Sequence, residues 1–320
     1  MKYCIGIDLG GTNIAVGVVD ENYEIVARAN MKTNAPRPAE EIADDMAKAT
    51  QKAIDAAGLT IDDIEWVGIG SPGAVNQETG EIIFAGNLDF HDVNIKKLME
   101  DRLHLTVYVE NDANAAAFGE CLAGAAKGVK YCVMVTLGTG VGGGIIIDGK
   151  IYSGYNHAAA EVGHMVIERN GVACSCGRKG CMEAYASVTG LIRMTKSAML
   201  QDEKSKMWDL VHGDINEVSG RTSFDAMREG DASAQKVVDE YIEYLGNGIS
   251  SFINILQPEY LVIGGGISKE GETLLAPLRR IVKRESFNVG GEAMRTKVVA
   301  AKLGNDAGII GAAFLGKNAQ

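Results

Sequence analysis

Five stretches of the chain carry side chains, or lack them, in patterns suited to chemistry on phosphates, hydroxyls and metal ions. Asp8-Leu9-Gly10-Gly11-Thr12 follows an apolar run. A glycine turn has no Cβ to keep an anion away from backbone N–H groups, and Thr12 adds a hydroxyl donor. Asp8 could hold Mg²⁺ through water, the usual way that ion is bound beside phosphates. Taken alone, the motif fits an ordinary tight hairpin equally well. Leu137-Gly138-Thr139-Gly140-Val141-Gly142-Gly143-Gly144 is a second such turn. Its Gly138, Gly140 and Gly143 have the G-x-G-x-x-G spacing of dinucleotide folds, but that fingerprint opens a helix, and here Ile145-Ile146-Ile147 continues as a strand. A phosphate-holding hairpin fits better. No G-x-x-x-x-G-K-[ST] loop occurs, which excludes a P-loop enzyme.

Glu110-Asn111-Asp112-Ala113-Asn114 stands between a strand pattern and an Ala-rich helix. Asn and Asp are preferred helix caps, and Asp112 also suits a general base. A helix N-terminus favours its charged form, so a modest base, ionised at neutral pH, is expected. Glu161-Val162-Gly163-His164 precedes Cys174-Ser175-Cys176-Gly177-Arg178-Lys179-Gly180-Cys181-Met182-Glu183. One His and three Cys are the ligand set of a closed structural zinc site. Gly177 and Gly180 permit the turn that returns Cys181, and Glu161 and Glu183 flank the ligands. Cysteines this dense in a reducing compartment read as metal ligands, not disulfides. Cys4, Cys121 and Cys132 sit in apolar stretches and read as small buried hydrophobes. His157 is given no role. Gly264-Gly265-Gly266 after an apolar strand suits the close approach of a flat ligand such as adenine, and equally a plain loop.

The elements that must position these residues alternate. Residues 3–20 read as strand, Gly turn and strand, with a third strand at 24–30. A helix is expected over 39–57, stopped by Gly58, then a strand at 67–70, a helix at 92–102, a strand at 105–109 and the Ala-rich helix at 112–126. The second half reopens with strand, turn and strand at 131–147. Helices follow at 182–200 and 231–256, then a strand at 261–263, a helix at 272–286, a strand at 297–301 and a last helix at 306–315. The pattern predicts an α/β fold. Residues 3–20 overlay 131–148 without a gap, Tyr3 on Tyr131 and Gly10 on Gly138, which suggests a duplicated domain.

Composition narrows the function. The 320 residues carry 31 Lys and Arg against 42 Asp and Glu, a net charge of −11, so there is no overall basic footprint for a nucleic acid. No apolar run reaches membrane-spanning length, and the start of the chain enters a strand pattern with no signal-peptide core. A cytoplasmic protein with no nucleic-acid or membrane partner is expected.

Together the motifs resemble the ROK family (repressors, open reading frames and kinases), and within it the bacterial glucokinases. The resemblance rests on Asp8–Thr12, Ser71-Pro72-Gly73, Asn111–Asn114, Leu137–Gly140, Glu161–His164, Cys174–Glu183 and Gly264–Gly266, in family order along nearly the whole chain. It implies a duplicated, two-domain α/β fold of the actin-like ATPase and sugar kinase type, ribonuclease H-like in each half. The smaller domain is expected at 1–115 plus 306–320 and the larger, with the zinc motif, at 116–305. It implies transfer of phosphate from ATP with Mg²⁺ to a free hexose bound in the cleft, glucose first. Asp112 would act as base, and Gly73, Asn87, Asn111, Glu161, His164 and Glu183 would contact the sugar. Asp8, Gly10, Gly11, Thr12, Gly138 and Thr139 would serve the phosphates, with Gly265 and Gly266 on the adenosine side. His164, Cys174, Cys176 and Cys181 would hold structural Zn²⁺. A homodimer or homotetramer is expected. Ala160 departs from the family, many members of which have Gly before the Glu. The rival readings are a kinase for N-acetylmannosamine, fructose or mannose, and a sugar-sensing repressor; the latter is disfavoured because the hairpin at residue 3 leaves no room for an N-terminal helix-turn-helix.

Overall fold

A computed structural model describes residues 2–287 and 290–319. Met1 and Gln320, the outer ends of the expected smaller domain, lie outside the described residues. The strands of the first part are β1 (Tyr3–Leu9), β2 (Asn13–Val19), β3 (Ile25–Lys32), β4 (Ile64–Ser71), β5 (Ala74–Asn76), β6 (Glu81–Ala85), β7 (Phe90–Asn94) and β8 (Val107–Asn111). One sheet has the order β3-β2-β1-β4-β8, while β5, β6 and β7 form a small sheet of their own. β2 runs antiparallel to β1, and β4 and β8 run parallel to it. The strands of the second part are β9 (Cys132–Leu137), β10 (Val141–Ile147), β11 (Lys150–Ile151), β12 (Tyr260–Gly265) and β13 (Lys297–Ala300), in the order β11-β10-β9-β12-β13. Strand for strand this is the first order again. The repeat read at an offset of 128 residues is therefore a repeat of topology.

The helices are α1 (Ala39–Ala56), α2 (Ile95–Leu103), α3 (Asp112–Leu122), α4 (Glu183–Ala186), α5 (Val188–Gln201), α6 (Met207–Leu210), α7 (Thr222–Arg228), α8 (Ala232–Leu256), α9 (Glu272–Glu285), α10 (Asp306–Ala313) and α11 (Leu315–Asn318). α1 buries Ile42, Met46, Ala49, Ala53 and Ile54 at helical spacing and is stopped by Gly58 at φ 68°. Cys4, Cys121 and Cys132 are buried, as expected. Three expectations need correction. Residues 92–94 end strand β7, and the helix begins only at Ile95, where the Asn94 side chain accepts from the Lys97 N–H. The helix expected over 182–200 is broken at Ser187, whose extended backbone ends α4 and whose hydroxyl caps α5. The Ala-rich helix stops at Leu122. Among the described residues no helix is long and apolar enough to cross a membrane.

The described chain divides into two compact units. Unit 1 holds residues 1–134, 144–160 and 301–320, and unit 2 holds residues 135–143 and 161–300. They differ from the division at 115 and 305 over residues 116–134, 144–160 and 301–305. The physical reason for the first of these lies in α3. A Cβ at Gly119 would strike the Ala307 carbonyl, and one at Gly311 would strike that of Ala115, so α3 and α10 touch backbone to backbone. The carboxylate of Glu120, fully buried, accepts from the N–H groups of Ala125 (2.6 Å), Lys302 (2.9 Å) and Leu303 (2.8 Å) and fixes the loop that leads into α10.

α10 also lies on the first sheet, backbone against backbone at Gly6 and Gly68, with the Ile309 side chain on Gly17. Gly17, Gly6 and Gly68 are direct neighbours across β2, β1 and β4 and form a row of glycines. A Cβ at Gly6 would meet the Ile309 carbonyl, and one at Gly68 that of Ala312. Trp66 locks the far end by donating its indole N–H to Ala313 O at 2.7 Å. Gly68→Val should therefore cost at least about 3 kcal/mol, at the upper end of overpacking penalties, since rigid backbone and not a side chain occupies the space. Urea unfolding checks this; an unchanged midpoint would show that α10 yields.

Candidate active site and metal centre

In unit 1 the expected residues gather at the C-terminal ends of the three parallel strands. Asp8 pairs with Gly70 and Ser71 with Asn111, so β1, β4 and β8 end together. The turn after β1 is held from behind. The Gly10 N–H donates to Asn13 O at 2.9 Å, and buried Thr33 donates its hydroxyl to Gly10 O (2.6 Å) and its N–H to Thr12 O (2.9 Å). The Gly10 N–H is thus spent on the turn. Asn87 packs on Gly11, where a Cβ would come within 3.2 Å of the Asn87 Cβ. Gly73, at φ 91°, gives its carbonyl to the Asn111 side-chain amide at 3.0 Å. A cavity of about 640 Å³ lies against this turn, lined by Asp8, Gly10, Gly11, Thr12, Arg28 and Asp306 among others.

Asn111, not Asp112, caps α3: its side-chain oxygen accepts from Ala113 N–H (2.9 Å) and Asn114 N–H (3.2 Å). Asp112 is the first helical residue, its carboxylate accepting from Ala113 N–H at 2.8 Å. The helix start was expected to favour the charged form. Burial outweighs it, and with the hydrogen bonds opposing, the Asp112 carboxyl sits above the usual carboxylate range. Burial first, and then the charge of Asp112, push Asp8 up to about 6.

In unit 2 four potential ligands converge. His164, Cys174, Cys176 and Cys181 each offer an atom, all within 4.8 Å of one another. Cys174 Sγ is 3.6 Å from His164 Nδ1, and Cys176 Sγ is 3.7 Å from Cys181 Sγ. Gly177 (φ 84°) and Gly180 (φ 78°) make the turns, and short bridges pair Val166 with Cys181 and Ala173 with Lys179. Backbone and guanidinium hydrogen bonds from Arg178 hold the Cys176 thiol down to about 6, whereas burial raises Cys181 to about 11. The other ring nitrogen of His164 faces Glu161 at 3.9 Å. Glu183 accepts from Val141 N–H (3.0 Å) and from the Ser175 hydroxyl (2.9 Å). The turn carrying Gly138 and Thr139 is gripped from α5, with Val188 N–H on Gly138 O (2.9 Å) and the Thr189 hydroxyl on Thr139 O (2.8 Å). Gly265, at φ 82°, lies against Leu137 at the end of β9, and Gly266 has open space beside it.

Sequence reasoning passed over Thr33 and Glu110. Glu110 is 2% exposed; its carboxylate accepts from Asn111 N–H (2.8 Å), the Asn114 amide (3.0 Å) and the Gln77 amide, and so supports the Asn111 cap beside Asp112. Nothing in the sequence marks either residue, because both act through burial set by distant segments. Ala160 lies at φ 69° and His157 at φ 59°, conformations that favour glycine.

A model of the ROK family matches residues 4–319. The glucokinase of Halalkalibacterium halodurans is 37% identical over 320 residues, covering 100% of this chain and 96% of that enzyme. The crystal structure of a ROK family glucokinase from Streptomyces griseus, in complex with glucose and AMPPNP, is similar with a TM-score of 0.80 at 37% identity, over 98% of each chain. The ROK hexokinase from Thermus thermophilus gives a TM-score of 0.81 at 30% identity, over 99% of this chain and 100% of that one. The fold is that of these enzymes, the actin-like ATPase type.

The raised Asp8 has a consequence for stability. From its ordinary 3.8 up to about 6 the folded state binds the extra proton, so its contribution is favourable below 3.8 and is lost as pH rises through 6. Asp8→Asn should therefore melt higher than the parent at pH 7.5 in the absence of divalent cations, and the gain should vanish near pH 4. An equal gain at both pH values, in parallel thermal melts, would remove the carboxyl titration as its cause.

Proposed function

The chain belongs to the ROK family, and we propose that it is a cytoplasmic kinase that transfers the γ-phosphoryl group of ATP to a free hexose, converting glucose to glucose 6-phosphate. The observation that carries the reading is the pair of neighbouring carboxylates in unit 1. Asp112 is raised by burial, and Asp8 is raised by burial and by Asp112. A carboxylate above its usual range is a better general base, and Asp112 takes the proton of the attacking hydroxyl as its oxygen bonds to phosphorus and ADP leaves. Two like charges this close also suit a cation. Asp8 would hold Mg²⁺ through water, and that ion supplies charge neutralisation on the phosphates.

The remaining roles follow the residues. Gly73, Asn87, Asn111, Glu161, His164 and Glu183 contact the sugar, with Asn111 preset by its bond to the Gly73 carbonyl. Gly10, Gly11, Thr12, Gly138 and Thr139 serve the phosphates, and Gly265 with Gly266 the adenosine. The enzyme is a homodimer or homotetramer. Zinc suits the cysteine loop on geometry. A tetrahedral ion with Zn–S near 2.3 Å and Zn–N near 2.05 Å has S···S edges of about 3.8 Å and S···N edges of about 3.6 Å. Two of the six separations here are 3.7 Å, between Cys176 and Cys181, and 3.6 Å, between Cys174 and His164, and all four atoms lie within 4.8 Å of one another. Four protein ligands close the site, so the zinc fixes the loop and does no chemistry.

Coupled ADP-release assays over a hexose panel test the reading: glucose should give the highest kcat/KM, and turnover favouring N-acetylmannosamine, fructose or mannose would reassign the substrate. Asp112→Asn should lower kcat by about 10²–10⁴ while the fold survives, because Asn111 remains as cap. Near-normal turnover would take the base role from Asp112. Cys176→Ser should lose metal and glucose affinity together, read by metal analysis beside glucose titration. Full glucose affinity in zinc-free protein would cut the link between them.

A further inference from the structure

The geometry points to a second role for Glu183, as the positioning residue that ties the glycine turn at 138–140 to the cysteine loop. Its two carboxylate oxygens face opposite ways. One accepts from Val141 N–H, at the foot of the turn, at 3.0 Å. The other accepts from the Ser175 hydroxyl at 2.9 Å, between two candidate metal ligands, with Cys174 Sγ at 3.8 Å. All of these residues lie in unit 2.

Gly140 supplies an independent observation. Its backbone is outside the left-handed region, so its conformation does not call for glycine. What excludes a side chain is Glu183: a Cβ at Gly140 would collide with its carboxylate oxygen and come within 3.2 Å of its Cδ. The turn after β1 has Thr12 at the equivalent place and is held by Thr33 instead. The second turn thus has a glycine where the first has a side chain, and a carboxylate occupies the vacated space.

A carboxylate has about four acceptor positions. Val141 and Ser175 use two, which leaves room for the hydroxyl donors of a sugar. The same side chain can therefore hold the turn and take part in sugar binding. Loosening Glu183 should displace Thr139 and its neighbours and weaken binding of nucleotide phosphates, although Glu183 itself carries the wrong charge to touch them.

The inference rests on the kinase reading, and the test separates the two. Binding of Mg·ADP without sugar is measured by calorimetry for the parent, Ser175→Ala, Glu183→Gln, Glu183→Ala, Gly140→Ala and the double variant Gly140→Ala/Glu183→Ala, with melting curves to confirm folding. Glu183→Ala and Gly140→Ala should each weaken binding about tenfold, the size of a lost charged hydrogen bond. Ser175→Ala should weaken it less, and Glu183→Gln, whose amide oxygen can still accept from Val141, should recover most of it. The double variant should bind no worse than Glu183→Ala, because the added methyl then has nothing to displace. Losses that add in the double variant, or parental affinity in Glu183→Ala, would overturn the inference. A parent protein that binds Mg·ADP yet phosphorylates no hexose would overturn the kinase reading alone.

Discussion

The candidate site in unit 1 depends on one contact: the backbone of α10 lying directly on Gly6 and Gly68 of the first sheet and on the small residues of α3. Where backbone meets backbone, the helix cannot slide or rotate without collision. Packing this close trades apolar side-chain burial for many dispersion contacts at fixed distance. Its result is positional. α3 is held at Ala115 and Gly119, within two turns of Asp112, so this carboxylate inherits its place from a helix near the other end of the chain. α10 also passes Asp8, and its first residue, Asp306, is clamped by the Arg28 guanidinium at 2.6 and 2.7 Å.

The second constraint is duplication. Each five-stranded sheet puts a glycine turn after its central strand, and the N–H groups of such turns are what an anion needs. The first N–H of each turn is spent inside it, Gly10 on Asn13 and Gly138 on Gly140. Each turn therefore needs an outside support to keep its tip in place. The two copies solve this differently, Thr33 in one and the Glu183, Val188 and Thr189 group in the other. Only the second support reaches the cysteine loop.

What could be read beforehand was whatever is local. The hairpins, α1 with its Gly58 stop and the convergence of His164 with the three cysteines all depend on residues close in sequence, and each stands where it was expected. The sheet of β5, β6 and β7 was missed because its strands span only three to five residues and Ile82, Ile83 and Phe84 do not alternate. The failure at Asp112 is more instructive. A helix start argues for a readily ionised carboxylate, and that local argument is sound. It loses to burial, a property of the whole fold, and the direction reverses. Thr33, Glu110 and Glu120 were invisible for the same reason: a Thr or Glu in sequence looks like surface until distant chain closes over it.

The loop before Glu161 shows how family pattern and local physics meet. Many members of the family carry Gly where this chain has Ala160, and here that residue holds φ 69°. A left-handed conformation costs a residue with a Cβ roughly 1–2 kcal/mol. His157, three residues earlier, bears the same penalty at φ 59°, and its buried Nδ1 makes no hydrogen bond among the described residues. Such conformations persist only where the surrounding structure imposes them. The constraint falls on the placement of Glu161 and, through its 3.9 Å approach, on the His164 ring. The chain keeps the backbone path that glycine permits while giving up glycine's ease of adopting it.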